Sequence, residues 1–276
     1  MEAEADAASP EHVLSALYIA HPRSMSSSII ARISKMRIDP ALAARLEADG
    51  IIRPAGGGRF VLSAQSFEPD PGMLADMRVR LVKWASISLE KAAESNRYTP
   101  LYEFEEDLLC AISAAMDEKK ESAAVRLCAR ALALLYRTRN WDETHALATK
   151  MLHVAREAQM LPEEISILGS LGNALYYMER FEESVISYID AIQLARKCGL
   201  VIQEARWTGS LADSLHRMGR NKHALKAFRS AIRTAQNSGS DTEASVWYPL
   251  AGRICRSLGM KSEADVYFSL CRVRKE

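Results

Sequence analysis

The stretch LYYMERFEE, Leu175–Glu183, decides the fold, because related stretches lie on both sides of it at a spacing of 40 residues. The counterparts are LYRTRNWDE (Leu135–Glu143), LHRMGRNKH (Leu215–His223) and CRSLGMKSE (Cys255–Glu263). The four stretches align without gaps, and the same spacing continues beyond them in Tyr188, Phe228 and Phe268. A fixed period of this length predicts helical hairpins that stack on one another, since one hairpin alone cannot bury its apolar side.

The small and apolar positions within each unit follow one pattern. They are Gly172, Leu175, Ser184, Tyr188 and Ala191 in the second unit, and Ala212, Leu215, Ala224, Phe228 and Ala231 in the third. This pattern resembles the tetratricopeptide repeat, in which small residues let two helices approach closely and an aromatic ring fills the gap to the next hairpin. The resemblance implies a mostly α-helical protein with a right-handed α-solenoid. Its units are predicted at 122–162, 163–202, 203–242 and 243–276.

The period of 40 residues exceeds the roughly 34 residues that are usual for this repeat. We expect the extra length in the second helix of each unit and in the turn that follows it, as in AIQLARKCGLVIQEA from Ala191 to Ala205. The repeat's usual proline near the end of the second helix is absent here, which agrees with a longer helix.

A segment of a different kind precedes the repeats. Residues 1–10 are predicted to form a disordered lead, and three short helices follow, the third of which begins with Asp39-Pro40 as N-cap and first helical residue. Two β-prone runs, Ile51–Arg53 and Arg59–Leu62, surround a glycine-rich turn and predict a hairpin. The order of three helices and a β-hairpin resembles a winged helix over residues 11–68.

A polar turn with two prolines, Ser66–Gly72, marks the boundary after this segment. Residues 73–121 predict two amphipathic linker helices in the phase of the later repeats, so they resemble a degenerate first unit. The array proper is predicted to begin at residue 122.

Winged helices often bind DNA, and the charge of this segment indicates whether DNA binding is expected here. Residues 1–68 contain 7 Lys/Arg and 8 Asp/Glu, and the third helix offers only Arg45 among acidic residues. A helix that reads DNA offers several cations or amides to phosphates and base edges. Arg45, Arg53 and Arg59 are the candidate DNA contacts, but the charge favours a structural or protein-contacting role and disfavours nucleic acid as a partner.

The composition indicates a folded protein without a strong overall field, since the formal net charge is +1 with 48% hydrophobic and 26% charged residues. No uninterrupted apolar run reaches the length that spans a bilayer, and the acidic N-terminus lacks the pattern of a secretion signal. We therefore expect a cytoplasmic protein that does not engage a membrane. The five cysteines are scattered, which predicts small buried residues rather than disulfides or a zinc site.

No set of residues in the sequence predicts catalysis, a metal or a cofactor. HExxH, GxSxG and DxDxDG are absent, and so is the phosphate-binding GxxxxGK[ST]. His145 and His153 fit one helix face, but a third ligand is missing. The sequence therefore predicts a non-enzymatic protein without a cofactor.

The first helix of each unit carries polar residues on the side opposite its core positions, and this side is expected to line one groove. Asparagine bonds a peptide backbone and arginine bonds a carboxylate, so the groove suits an acidic segment or a C-terminal carboxylate. The alternative is that the arginines pair with Asp213 and nearby glutamates as a solvated ionic surface. We expect Asn173→Ala and Arg206→Glu to weaken partner binding with little loss of thermal stability. The candidate groove residues are Arg126, Arg130, Arg137, Asn173, Tyr177, Arg206, Asp213, Arg217, Arg253 and Arg256.

The order of winged helix, linker helices and long-period repeats resembles the C-terminal half of the STAND class of signalling ATPases, and residues 102–152 carry the resemblance most clearly. The resemblance implies a protein- or peptide-binding adaptor or sensor of a bacterial-type signalling system. Because the phosphate-binding loop is absent, an alternative is an accessory subunit of a split STAND-like ATPase, with the ATPase on a separate chain. A further alternative is a transcription regulator whose winged helix binds DNA under control of a peptide bound by the repeats. The sequence does not indicate the oligomeric state.

Overall fold

The structure is a computed structural model, and it describes residues 9–21, 23–35, 39–63, 67–95, 97 and 99–272. It is 80% helical, with thirteen α-helices in the described residues, and it confirms the predicted helical-repeat fold. The chain forms two compact units, Met1–Leu134 and Leu135–Glu276. Residues 1–8 of the predicted disordered lead lie outside the described residues, and its last residue, Pro10, is the first residue of a helix.

The N-terminal unit begins with three helices and a small antiparallel sheet. The helices are α1 (Pro10–Ala20), α2 (Ser27–Ser34) and α3 (Pro40–Ala48), and the strands are β1 (Met25–Ser26), β2 (Ile52–Pro54) and β3 (Arg59–Leu62). The central strand is β3, which pairs antiparallel with both of the others. This order is consistent with a winged-helix-like start. Strand β1 was not predicted, because two residues are too few to show an alternating pattern.

Side-chain caps explain the starts of two of these helices. Asp39 accepts a hydrogen bond from the backbone nitrogen of Ala41 at 2.9 Å, and a proline follows Asp39, as predicted. Helix α2 begins after Ser26, whose Oγ accepts from the backbone nitrogen of Ile29 at 3.3 Å. Helix α2 ends at Ser34, and Lys35 after it has the left-handed conformation.

Longer helices complete the N-terminal unit. They are α4 (Pro71–Ser95), a 3-10 helix (Thr99–Phe104), α5 (Glu105–Asp117) and α6 (Glu121–Thr138), and the last of these contains the division between the units. Leu81 and Leu89 of α4 and Ala111 of α5 are fully buried, so these helices contribute to the core of this unit.

A buried polar cluster joins β3 to α5. Arg59 donates from Nη1 to Asp107 Oδ2 at 2.8 Å, from Nε to Ser24 Oγ at 2.7 Å and from Nη2 to the carbonyl of Ser24 at 2.9 Å. The side chain of Asp107 is 0% exposed and that of Arg59 is 15% exposed. Burial raises the pKa of Asp107, and the neighbouring Arg59 guanidinium opposes this rise. A buried carboxylate is tolerated because a cation and hydrogen-bond donors surround it.

The C-terminal unit is formed by helices that are joined by short turns. Its helices are α7 (Trp141–Glu157), α8 (Leu161–Tyr177), α9 (Phe181–Lys197), α10 (Val201–Arg217), α11 (Asn221–Asn237), α12 (Asp241–Ser257) and α13 (Lys261–Arg272). We call α6, α8, α10 and α12 the A helices and α7, α9, α11 and α13 the B helices. Helices α7–α12 each have 17 residues and are separated by three-residue turns. The expectation that the extra length lies in the second helix is therefore wrong, since A and B helices are equally long.

The turns repeat one backbone conformation every 20 residues. Positive φ angles occur at Lys119, Arg139, Gln159, Glu179, Gly199, Gly219, Gly239 and Gly259. The residue after each one donates its N–H to the carbonyl five positions earlier, as Leu200 does to Ala195 at 2.8 Å. This is the Schellman ending, in which a left-handed residue closes the helix. Each 40-residue repeat thus consists of two helix–turn elements of 20 residues each.

Successive A helices contact each other through tryptophan and glycine. Trp207 of α10 lies against Gly169 of α8, and Trp247 of α12 lies against Gly209 of α10. A Cβ atom at either glycine would come within 2.2 Å of the indole ring. Only glycine therefore fits at these two positions, and the rings hold α8, α10 and α12 next to one another.

Candidate functional site

The A helices of the C-terminal unit carry a row of polar side chains that are not buried. We call this row the A-helix face. Asn173 of α8, Asp213 of α10 and Arg253 of α12 lie at equivalent positions, 40 residues apart. Because tryptophan–glycine contacts hold the three helices together, these residues follow one another across the face. The other members are Tyr177, Arg206 and Arg217, all exposed.

The remaining predicted groove residues have other surroundings. In the N-terminal unit, Arg126 is exposed and the guanidinium of Arg130 lies 3.8 Å from Glu90 of α4. In the C-terminal unit, Arg137 is exposed, and the guanidinium carbon of Arg256 lies 4.8 Å from the ring centre of Phe268 of α13. Arg137 occupies the position in α6 that Tyr177 has in α8 and Arg217 has in α10.

Asn173 has a structural partner that the sequence did not indicate. Its Oδ1 accepts a hydrogen bond of 2.6 Å from the hydroxyl of Tyr188, whose side chain is buried on the neighbouring helix α9. Burial raises the pKa of Tyr188, so its hydroxyl stays a donor. An alanine at residue 173 would remove this acceptor from the buried hydroxyl, so we now expect Asn173→Ala to lower the thermal stability.

The arginines of the A-helix face differ in their pairing. Arg206 donates to Glu243 at 2.5 Å, and Arg217 lies 3.9 Å from Glu179. Arg253 is exposed and has no ion-pair or hydrogen-bond partner within the described ranges. The solvated ionic surface that we considered as an alternative thus accounts for two of these arginines and leaves the third open to a ligand.

An aromatic cluster lies at the C-terminal ends of α6 and α8 and the start of the B helices that follow. Trp141 stacks on Tyr177 with ring centres 4.2 Å apart, and Tyr136 meets both rings edge-on. The hydroxyls of Tyr136 and Tyr177 are 3.0 Å apart, and these two side chains are 40% and 45% exposed. Tyr176 and Phe181 extend the cluster through edge-to-face contacts.

The repeat pattern contained a signal for this cluster. Tyr136 and Tyr176 are equivalent in the aligned stretches, and so are Trp141 and Phe181. Of these aromatic residues only Tyr177 was predicted, because the prediction rested on the polar side of each A helix and not on the equivalent aromatic residues at its end.

Two charged residues, Arg217 and Asp213, adjoin the cluster at Tyr176. The guanidinium carbon of Arg217 lies 5.6 Å from the ring centre of Tyr176 and 5.1 Å from that of Phe181, which are cation–π distances. Burial and a hydrogen bond with Asp213 raise the pKa of Tyr176 to about 12. Tyr176 therefore remains neutral near pH 7 and links Asp213 with Arg217.

The three basic candidates of the N-terminal segment do not act alike. Arg45 and Arg53 are exposed. Arg59 directs its guanidinium into the cluster with Asp107 and Ser24, and it also donates to the carbonyl of Glu103 at 2.8 Å. Its donors are thereby used inside the unit, which reduces what the segment can offer to a phosphate.

The described part of the chain contains neither a metal-type cluster nor a membrane-spanning helix. No three His, Cys, Asp or Glu residues there converge as a metal site would require. No helix in the same residues has the length and apolar character needed to cross a bilayer.

Residues 163–237 match the tetratricopeptide repeat family. The matched range begins in the first turn of α8 and ends with α11, so it contains most of the A-helix face. Repeats of this family are associated with protein–protein interaction, so the match suggests this kind of role for residues 163–237. No curated protein matches the sequence.

Several solved structures are similar in fold. BtubC (BKLC) from P. vanneervenii superposes with a TM-score of 0.52 and 14% identity, over 72% of this chain and 91% of BtubC. For a STAND ATPase with a tetratricopeptide repeat sensor from Pyrococcus horikoshii, the TM-score is 0.46 and the sequence identity is 12%. That alignment covers 97% of this chain and 52% of the ATPase. For a Rap protein complexed with Competence and Sporulation Factor, the TM-score is 0.48 and the sequence identity is 12%. That alignment covers 95% of this chain and 75% of the Rap protein. At such identities the similarity to BtubC shows the fold alone.

Proposed function

We propose that the chain is a non-enzymatic adaptor or sensor whose A-helix face binds an extended segment of a partner protein or peptide. One observation carries the proposal. Asn173, Asp213 and Arg253 occupy equivalent positions on three successive A helices, and none of them is buried. A segment that crosses α8, α10 and α12 meets an amide, a carboxylate and a guanidinium in that order.

These groups suit the recognition of a peptide backbone and of an acidic group. The amide nitrogen of Asn173 is free to donate to a backbone carbonyl, since its Oδ1 already holds Tyr188. The guanidinium of Arg253 has no partner among the described residues, so it is open to two parallel bonds with a carboxylate. An acidic residue or C-terminal carboxylate of the partner therefore fits best beside α12.

The aromatic cluster supplies an anchor for an apolar side chain of the partner. Tyr177 remains 45% exposed although Trp141 stacks on it. Tyrosine and tryptophan are prominent among the few residues that carry most of the binding energy of interfaces. Because the rings hold one another in place, binding to them costs little side-chain entropy.

The wider role is proposed from the resemblance of the whole chain to the C-terminal half of STAND proteins. It is that of an adaptor or sensor in a bacterial-type signalling system, acting alone or with an ATPase on a separate chain. A transcription regulator has less support, since Arg59 is held by Asp107 and Ser24 and only Arg45 and Arg53 remain exposed.

Affinity capture from a native lysate tests this proposal with two matched variants. The face variant is Tyr177→Ala/Arg253→Glu, and the control is Ile186→Ala/Lys197→Glu on α9. Each variant truncates one exposed large side chain and reverses one exposed charge. Asn173→Ala is avoided because of Tyr188, and Arg206→Glu because it would place a second carboxylate beside Glu243.

The expected result is a partner that wild type and the control retain and that the face variant retains roughly tenfold less. Mass spectrometry then identifies the partner, and thermal melting verifies that both variants are folded. A partner retained equally by all three proteins would contradict binding at the A-helix face.

A further inference from the structure

Helix α11 (Asn221–Asn237) contains four Lys/Arg residues and no Asp or Glu. Lys222, Lys226, Arg229 and Arg233 are spaced by four, three and four residues, so they share one side of the helix. We call these four residues the cationic stripe. It extends along α11 for about 16 Å, given a rise of 1.5 Å per residue.

The cationic stripe lowers the stability of helix α11 itself. Like charges three and four residues apart repel, and a lysine in the first turn opposes the helix dipole. Among the described helices from α5 to α13, α11 alone has no acidic residue in its first turn. The repeat does not require the stripe, because the equivalent positions of α9 contain no cation. Those positions are Glu182, Ile186, Ile189 and Gln193.

One member of the stripe already holds a carboxylate. Arg229 donates to Glu263 of α13 through Nε at 2.8 Å and through Nη2 at 2.5 Å, which is the two-bond geometry of a strong charged pair. Lys222, Lys226 and Arg233 are exposed and have no ion-pair partner in the part of the chain that the structure describes. Lys222, Lys226 and Arg233 can therefore bind carboxylates of a partner, next to the pair of Arg229 and Glu263.

The neighbouring helix α13 adds apolar surface next to the stripe. Val266 and Leu270 follow Glu263 at three and seven residues, so they lie on the side of α13 that contacts Arg229. Val266 is 56% exposed and Leu270 is 39% exposed. Cations on α11 thus adjoin exposed aliphatic side chains on α13.

We propose that the cationic stripe, together with Val266 and Leu270, docks an acidic amphipathic helix of a partner protein. Carboxylates one turn apart on such a helix match the spacing of Lys222, Lys226 and Arg233, and its apolar residues cover the aliphatic side chains of α13. The aliphatic neighbours favour a protein over a nucleic acid, whose backbone offers phosphates and sugars but no apolar side. This surface lies on B helices and is independent of the A-helix face.

The test uses the full chain and a synthetic 18-residue amphipathic helix with leucines on one side and four glutamates spaced by four, three and four residues. A second peptide has glutamine in place of the four glutamates. Fluorescence anisotropy compares wild type with Lys226→Glu/Arg233→Glu, and with Lys150→Glu/Lys197→Glu on α7 and α9 as a control of equal charge change. Lys150 and Lys197 are exposed.

We expect the glutamate peptide to bind wild type roughly tenfold more tightly than it binds Lys226→Glu/Arg233→Glu, with less than a twofold effect of the control variant. The single variant Lys226→Glu is expected to bind more weakly while melting at a higher temperature, because it replaces repulsion from Lys222 and Arg229 by attraction. Equal affinity for the glutamine peptide, or an equal effect of the control variant, would overturn the proposal. Tighter binding of a 20-base-pair DNA duplex than of the glutamate peptide, lost in the same variant, would overturn it as well.

Discussion

Each of the two units is stabilised internally by a different kind of contact. In the N-terminal unit, Arg59 and Asp107 form an ion pair that is almost removed from water and joins β3 to α5. In the C-terminal unit, indole rings lie directly on glycines and join successive A helices, as Trp247 does on Gly209. A contact based on charge fails when one partner is removed, whereas a contact based on shape fails when a single atom is added.

The largest effect is expected from breaking the charged contact. Arg59→Ala leaves Asp107 buried without its cation, and such a change costs about 3–5 kcal/mol of unfolding free energy. Urea unfolding of wild type and variant measures this loss. The double variant Arg59→Leu/Asp107→Leu is expected to recover much of it, because no buried charge remains.

The pH dependence of this loss identifies its cause. Burial holds the pKa of Asp107 above its usual value, and Arg59 opposes the rise. The folded state then binds more protons than the unfolded state, so the stability contributed by Asp107 is greatest at low pH and falls as pH rises through its folded pKa. Without Arg59 the pKa rises further, so Arg59→Ala is expected to cost more at pH 7 than at pH 4. An equal cost at both pH values would show that the ionised carboxylate is not the cause.

Adding one carbon tests the contact based on shape. Gly209→Ala places a Cβ within 2.2 Å of the Trp247 ring, and we expect a loss of about 2–3 kcal/mol. At an unconstrained helix position the same change would stabilise by about 1 kcal/mol, so the sign alone is informative. The matched control is Gly209→Ala in a Trp247→Ala background, where the substitution should become neutral or favourable. A stabilised Gly209→Ala single variant would refute the tryptophan–glycine contact.

The smallest effect concerns a feature that both units share. Left-handed residues close the helices at 20-residue intervals from Lys119 onwards, and glycine fills this position only from Gly199. Gln159→Gly is expected to stabilise by about 0.5–1 kcal/mol, because glycine adopts positive φ without strain. Gly219→Ala is expected to destabilise by about 1 kcal/mol. Thermal melting measures both variants. If the turns share one geometry, the melting temperature rises for Gln159→Gly and falls for Gly219→Ala.

The sequence predicted those parts of the fold that repeat or that follow local rules. The 40-residue period indicated the helical hairpins, and Asp39-Pro40 indicated the start of α3. It did not predict strand β1, because Met25–Ser26 pairs with β3 through backbone bonds that leave no side-chain pattern. It placed the extra residues in the second helix, whereas the 20-residue spacing of left-handed turns divides them equally, and four of those turns lack glycine as a marker.

The candidate site was less predictable because it depends on contacts between elements. Periodicity assigned Asn173 and Arg206 to the side of the A helices away from the core, but it could not indicate that Tyr188 donates to Asn173 or that Glu243 pairs with Arg206. Arg59 was counted as a candidate DNA contact, since nothing near it in sequence indicates Asp107. The function of the A-helix face and of the cationic stripe remains a prediction.

The tryptophan–glycine contact is directional, because the tryptophan of one A helix lies on the glycine of the preceding A helix. It also requires a glycine at each position that receives a ring. Helix α10 takes part in this contact twice: its Trp207 lies on Gly169 of α8, and its Gly209 receives Trp247 of α12. At the next equivalent position, α12 has an exposed Pro249 in place of glycine. A further indole would meet a pyrrolidine ring there, so the sequence of α12 itself terminates this mode of stacking.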